Sequence, residues 1–270
     1  MTVCLLEWLT EREWVGLAPQ TSNLPPFQHC RRPAAELASC RFMKCLVWNM
    51  DYWKSSKKEE SWSYIQSLDP DVSLLNECST HNSQKNHIHY IAKDKWGCGV
   101  FSKHKIQEIV FNKSHPEAIA CGQVTINDQP ITLVSLYGKI IDGYSITTLH
   151  RSLSDLTHLF IQNDISDWLL IGGDFNADVA LDERQSGKSH HLFFERLKDF
   201  GLKDCREKFN RERVQTLRHK KSTFAWQNDY LFAGKKIYDK CTSCQVIDDE
   251  SLYELSDHNP IVAEFDLSKE

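Results

Sequence analysis

The chain has 270 residues, 41% of them hydrophobic and 26% charged, which suits one large soluble domain. Its formal net charge of −5 gives no global footprint for coating nucleic acid, although a local basic patch and a bound cation can hold a phosphate in an acidic protein. No apolar run approaches the roughly 18–20 residues that cross a bilayer, and the first nine residues are too short and too acidic for a signal peptide. A soluble, cytoplasmic protein with no membrane partner is therefore expected. The ten cysteines lack the regular spacing of a small secreted disulfide framework, so free buried thiols are expected. Cys241-x-x-Cys244 has no second pair of ligands at zinc spacing.

Residues 1–42 hold Pro19, Pro25, Pro26 and Pro33 and show no sustained period of 2 or 3.6. They read as a poorly ordered extension, the competing reading being a helix near 3–15. The catalytic domain is placed at 43–270, opening with a strand at Met43. Apolar runs at 45–48 and 72–75 bracket a helix over 57–68, with Trp62, Ile65 and Leu68 at helical spacing. Short strands follow at 88–92, 98–101, 106–111, 119–126 and 131–136, several joined as hairpins. A helix is predicted over 145–162, where Leu149, Leu153, Leu156 and Phe160 mark one face. Next come a buried strand at 168–171, a helix over 190–200 opening at His190-His191, and strands near 229–233, 241–247 and 260–265. Helices interrupt groups of strands rather than alternating with them. This favours an α/β sandwich of mixed, largely antiparallel sheets over a doubly wound parallel sheet.

Polar residues stand at the ends of several strands: Asn49, Glu77, Asp174 with Asn176, Asp229, and Asp257 with His258. A single carboxylate there is ordinarily a turn or cap residue. Five such positions carrying Glu, Asp, Asn or His form an oxygen-rich set that suits a hard cation such as Mg²⁺. His81, His87 and His89 read as surface or structural residues.

The motifs Leu46-Val47-Trp48-Asn49, Pro70-Asp71-Val72-Ser73-Leu74-Leu75-Asn76-Glu77, Gly99-Val100-Phe101-Ser102, Ser135-Leu136-Tyr137, Gly173-Asp174-Phe175-Asn176, Asp229-Tyr230-Leu231-Phe232 and Ser256-Asp257-His258-Asn259-Pro260-Ile261-Val262 resemble, in the same order, those of the endonuclease/exonuclease/phosphatase superfamily, the DNase-I-like phosphoesterases. The resemblance runs from Met43 to Phe265 and implies a four-layer α/β-sandwich, two packed sheets flanked by helices. It implies Mg²⁺, with Mn²⁺ able to substitute, held by Glu77, Asn49 and Asp257. It also implies that Asp174 activates the attacking water with Asn176, that His258 contacts the scissile phosphate with its ring oriented by Asp229, and that Tyr137 lies near the phosphate. Two departures stand out. Tyr137 is followed by Gly138-Lys139 where relatives often have a Pro two residues on, and Gln227 stands where many have an Arg.

Residues 203–221 carry eight Lys or Arg against three acids. Alone they read as a solvated helix and a loop. The segment runs into Ser222-Thr223-Phe224-Ala225-Trp226, which resembles the family's Thr-x-x-Trp stretch beside the active site. Arg218, Lys220 and Lys221 are thus candidate contacts to a nucleic-acid backbone, and Trp226 a candidate stacking ring. The expected activity is a nuclease hydrolysing phosphodiester bonds of DNA, with RNA as the second choice, acting as a monomer without an obligate protein partner. The alternatives are a phosphatase or phosphodiesterase acting on a small molecule or lipid headgroup, and an inactive binding protein.

Overall fold

A computed structural model describes residues 41–51, 55–92, 97–185, 187–218 and 222–268. Residues 1–40 of the expected extension, with Lys220 and Lys221, lie outside them. The first strand, β1 (Phe42–Asn49), opens one residue before Met43, and Arg41 forms a 2.8 Å ion pair with Asp266. The chain continues through α1 (Lys58–Leu68), β2 (Val72–Cys78), β3 (Asn86–Ile91), β4 (Gly97–Ser102), β5 (Ile106–Glu108), β6 (Ile119–Ile126) and β7 (Gln129–Leu136). Next come α2 (Ile146–Asp155), α3 (Thr157–Phe160), α4 (Asn163–Ser166), β8 (Leu169–Asp174), α5 (Ala180–Gln185), α6 (Ser189–Asp199) and β9 (Lys203–Asp204). It closes with β10 (Asp229–Ala233), α7 (Lys235–Lys240), β11 (Cys241–Val246) and β12 (Ile261–Asp266).

These strands make two six-stranded sheets, ordered β11-β12-β1-β2-β4-β3 and β5-β6-β7-β8-β10-β9. Each contains one parallel pair, β1–β2 and β7–β8, among antiparallel neighbours. The alternation along β1 shows why the sheets stack. Met43, Cys45 and Val47 face a core shared with Leu133, Leu170 and Leu231 of the other sheet. Leu46 and Trp48 face outward onto Trp62 and Ile65 of α1. The second sheet covers its outer face with α2, α3 and α6 through Leu149, Leu153, Phe160, Phe193 and Leu197. The result is helix, sheet, sheet, helix.

Three expectations change. The helix over 145–162 is broken at Leu156, where ψ near zero (φ −85°, ψ −1°) ends α2, and α3 follows. The strand from Ile106 stops at Glu108. Residues 203–218 form β9, a 3₁₀ turn at Arg206–Lys208 and an extended run rather than a solvated helix. Their polar backbone is satisfied by pairing: Leu217 bridges both Trp226 and His258. The seven described cysteines are free and buried, as expected. Among the described residues no helix is long and apolar enough to cross a membrane.

Candidate active site

The C-terminal ends of β1, β2 and β8 meet at one end of the sandwich, and local irregularities aim their side chains. Between Leu75 and Cys78 the β2–β4 register gains a residue on β2. This bulge leaves Glu77 in the left-handed region at φ 44°, which re-aims its carboxylate out of the strand's alternation. Gly173 has φ 144°, and a Cβ there would lie 2.1 Å from the Leu136 carbonyl and 2.4 Å from Asn76 Oδ1. Glycine therefore lets the buried Asn76 amide cross between sheets and accept from the Asp174 N–H at 2.6 Å.

Asn49 is the hub. Its Nδ2 donates to Glu77 Oε1 at 3.1 Å and to Asp174 Oδ2 at 2.9 Å. The Tyr137 hydroxyl donates to the same Glu77 oxygen at 3.0 Å. Asn176, at φ 47°, donates its backbone N–H to Asp174 Oδ1 at 2.8 Å and its Nδ2 to Asp174 Oδ2 at 3.0 Å. His258 Nδ1 is 2.8 Å from Asp229 Oδ2, and its Nε2 faces Asp174 at 3.8 Å and Asp257 at 3.9 Å. The ring's backbone is clamped by Trp48 Nε1, which donates to the His258 carbonyl at 2.9 Å. The Ser256 hydroxyl adds a second clamp, accepting from the His258 N–H at 3.0 Å and donating to the Asn49 carbonyl at 2.7 Å.

Burial and crowding decide the charges. Asp174, Asp229 and His258 are buried, with Asp174 and Asp229 each 1% exposed. Burial, then the nearby Asp229 and Glu77 carboxylates, raises the Asp174 carboxyl to about 7 against the pull of His258. Burial also raises Glu77, although Asn49, His258 and Tyr137 oppose it. For His258 burial acts downward, but Asp229 and Asp174 outweigh it and lift the imidazole to about 10. At neutral pH the ring is an imidazolium with both nitrogens donating.

The donor set fits a hard cation. Glu77, Asp174, Asp229 and Asp257 surround a single imidazolium, and no lysine or arginine side chain pairs with them among the described residues. Among the described residues Glu77 Oε2 has no hydrogen bond, and Asn49 Oδ1 accepts from the Asp51 N–H at 3.0 Å. Excess negative charge with open oxygen acceptors is what Mg²⁺ or Mn²⁺ relieves. Asp174, Asp229 and His258 also place one ligand atom each within 4.8 Å of the others. A doubly protonated ring has no lone pair to coordinate, so the oxygens of Glu77 and Asn49 are the better fit.

The rim differs in detail from what the sequence suggests. Gly138, directly after Tyr137, has no room for a side chain because its backbone touches Phe175: a Cβ would lie 1.8 Å from the Phe175 carbonyl oxygen. This contact lets the Gly138 carbonyl accept from Asn176 Nδ2 at 3.2 Å. Gln227 is buried and its Oε1 accepts from the Val214 N–H at 3.3 Å. The Arg218 guanidinium pairs with Asp248 and stacks on Tyr253 at 3.4 Å, so its charge is already met. Trp226 is half-buried, edge-on to Phe224 at 4.7 Å, and its Nε1 donates to Ser222 Oγ.

Sequence reasoning passed over Thr216. Its buried hydroxyl accepts the backbone N–H of Asn228 at 2.9 Å and of Asp229 at 3.0 Å. Its own N–H donates to the Trp226 carbonyl and its carbonyl accepts from the Asn259 N–H. One residue thus ties the Asp229 strand to the His258 turn.

No protein-family model matches the sequence, and no curated protein matches it. Solved structures do. The endonuclease domain of TRAS1, a telomere-specific non-LTR retrotransposon, superposes with TM-score 0.65 and 18% identity over 84% of this chain and all of that one. An AP endonuclease from Archaeoglobus fulgidus gives 0.66 and 16% over 83% and 100%. An endonuclease/exonuclease/phosphatase family protein from Leptotrichia buccalis gives 0.58 and 18% over 82% and 98%. The chain has the fold of the endonuclease/exonuclease/phosphatase superfamily. In this DNase-I-like sandwich the seven expected side chains, Asn49, Glu77, Tyr137, Asp174, Asn176, Asp229 and His258, share one hydrogen-bonded cluster with Asp257 at its edge.

Proposed function

We propose that the protein is a Mg²⁺-dependent nuclease that hydrolyses phosphodiester bonds of DNA or RNA, with Mn²⁺ able to substitute. The observation that carries this reading is the joining of Glu77, Asp174 and the His258–Asp229 pair around one Asn49 amide. The activities named for structural neighbours, an endonuclease domain and an AP endonuclease, support it. Glu77 and Asn49, with Asp257, would hold a divalent cation, which would neutralise charge developing on the phosphate and the leaving oxygen.

The chain's own residues do the rest. Asp174, raised toward neutrality by burial and its acidic neighbours, accepts a proton from the attacking water near the pH at which a base is most useful. Asn176 holds that carboxylate in place through two hydrogen bonds. His258 donates Nε2–H to a phosphoryl oxygen while Asp229 fixes the ring through Nδ1. Tyr137 holds Glu77 in position with its hydroxyl.

A second reading, a phosphatase or phosphodiesterase for a small molecule or lipid headgroup, is favoured by one observation: Arg218 is committed to Asp248 and Tyr253 rather than free for a nucleic-acid backbone. A substrate panel separates the two. Plasmid, single-stranded DNA and RNA, phosphorylated small molecules and lipid headgroups are offered with Mg²⁺, with chelator, and with Asp174→Asn. Cleavage of nucleic acid that needs both metal and Asp174 is expected. Phosphate release from a small molecule with nucleic acid left intact overturns the nuclease reading. No reaction in any arm points to a binding protein.

A further inference from the structure

Between β7 and α2 lies a small hairpin that the proposed chemistry does not use. Ile141 and Tyr144 exchange both backbone hydrogen bonds at 3.0 Å. The two residues between them, Asp142 at φ 52° and Gly143 at φ 85°, adopt the left-handed conformations of a type I′ turn. Both stems are anchored beside the site. The Gly138 carbonyl accepts from Asn176 Nδ2, the Lys139 carbonyl accepts from the Thr148 hydroxyl at 2.6 Å, and the Ser145 hydroxyl donates to the Asn176 carbonyl at 2.6 Å. The hairpin is therefore a fixed extension of the rim formed by Tyr137 and Asn176.

Its surface is apolar. Tyr144 is 67% exposed, Ile140 54% and Ile141 39%. Scattered exposed apolar residues need no explanation. Several on one short hairpin, at the mouth of a polar site, mark a contact surface. The only charges on residues 138–145 are Lys139, which pairs with Glu117, and Asp142 at the tip.

We infer that this hairpin is the platform on which unstacked bases of a single-stranded nucleic-acid substrate rest, with Tyr144 as the stacking ring and its cross-strand partner Ile141 beside it. The inference rests on the nuclease reading and adds what that reading leaves open, the strandedness of the substrate. Phosphates are not its partner, because the hairpin offers them no unpaired cation and one acid. Base faces are, because they are apolar and stack on aromatic rings whatever their sequence, and they are reachable only outside a duplex. A bilayer is a poor partner, since Asp142 would enter the hydrocarbon first.

The test uses the full chain and the double variant Ile141→Ser/Tyr144→Ala. Substrates are a single-stranded oligonucleotide, the same sequence as a duplex, and a strand of equal length made of tetrahydrofuran abasic residues. For the single strand, KM is expected to rise about tenfold (about 1.4 kcal/mol) with kcat within twofold, while KM for the abasic strand stays unchanged. An equal rise on both strands, or none on either, overturns the proposal. So does loss of binding to phosphatidylcholine vesicles with single-strand KM intact. If the wild type cuts none of the three, the nuclease reading itself fails. If it cuts them and the variant behaves identically, only the platform is lost.

Discussion

Asp174 has a consequence that can be measured without substrate. Its carboxyl is raised from 3.8 to about 7 in the fold, so between about pH 4 and pH 7 the native state keeps a proton that the unfolded chain releases. Stability must therefore fall as pH rises through that window. At 1.36 kcal/mol per pKa unit the full loss is about 4 kcal/mol, and relaxation of the buried cluster brings a working expectation of about 2 kcal/mol. His258 acts in the same direction at higher pH: raised from 6.5 to about 10, it contributes stability that is complete below 6.5 and lost as pH climbs through 10. Asp174→Asn removes the first effect outright. Because Asp174 helps to hold the His258 proton, it also shrinks the second. The assay is thermal unfolding in chelator from pH 5 to pH 9. Wild type should lose roughly 4–8 °C more than the variant between pH 5 and pH 8, at about 2–4 °C per kcal/mol for a domain of this size. Parallel curves for the two proteins would refute a buried, charge-crowded Asp174.

Thr216→Val strips the common acceptor from two buried backbone N–H groups and should cost about 2–4 kcal/mol in chemical denaturation. If the residue positions the His258–Asp229 pair, kcat falls in the surviving fold with KM little changed, and Thr216→Ser restores it. Gly138→Ala drives a Cβ into the Phe175 backbone and should destabilise by about 3 kcal/mol. Activity should fall with it, because the Gly138 carbonyl holds Asn176. An unchanged melting temperature would show that the two loops can part.

The strands other than β9, and the helices at 58–68 and 189–199, were legible because each buries one face, so period 2 or period 3.6 is written in its apolar residues. The candidate residues were legible for a related reason: Asn49, Glu77, Asp174 and Asp229 sit at the end of, or one step inside, apolar runs whose ends are visible in sequence. What stayed hidden depends on partners far along the chain. Thr216 matters through Asn228, Asp229 and Asn259, and nothing local distinguishes it from a loop threonine. Arg218 looked free because Asp248 and Tyr253, which hold it, are thirty or more residues away. Helices α5 and α7, six residues each, are too short to show a period. The break at Leu156 leaves the apolar face continuous, so the pattern read as one helix.

The placement of β12 bears on how the molecule comes into being. Among the described residues it follows the other eleven strands, yet it lies between β11 and β1 inside its sheet, and the turn that carries His258 leads directly into it. During synthesis β1 must wait, with an unpaired edge, for a partner more than two hundred residues later. Until that partner arrives Asn49 and Asp174 have no imidazole beside them. The candidate site is therefore completed only when the last strand has paired.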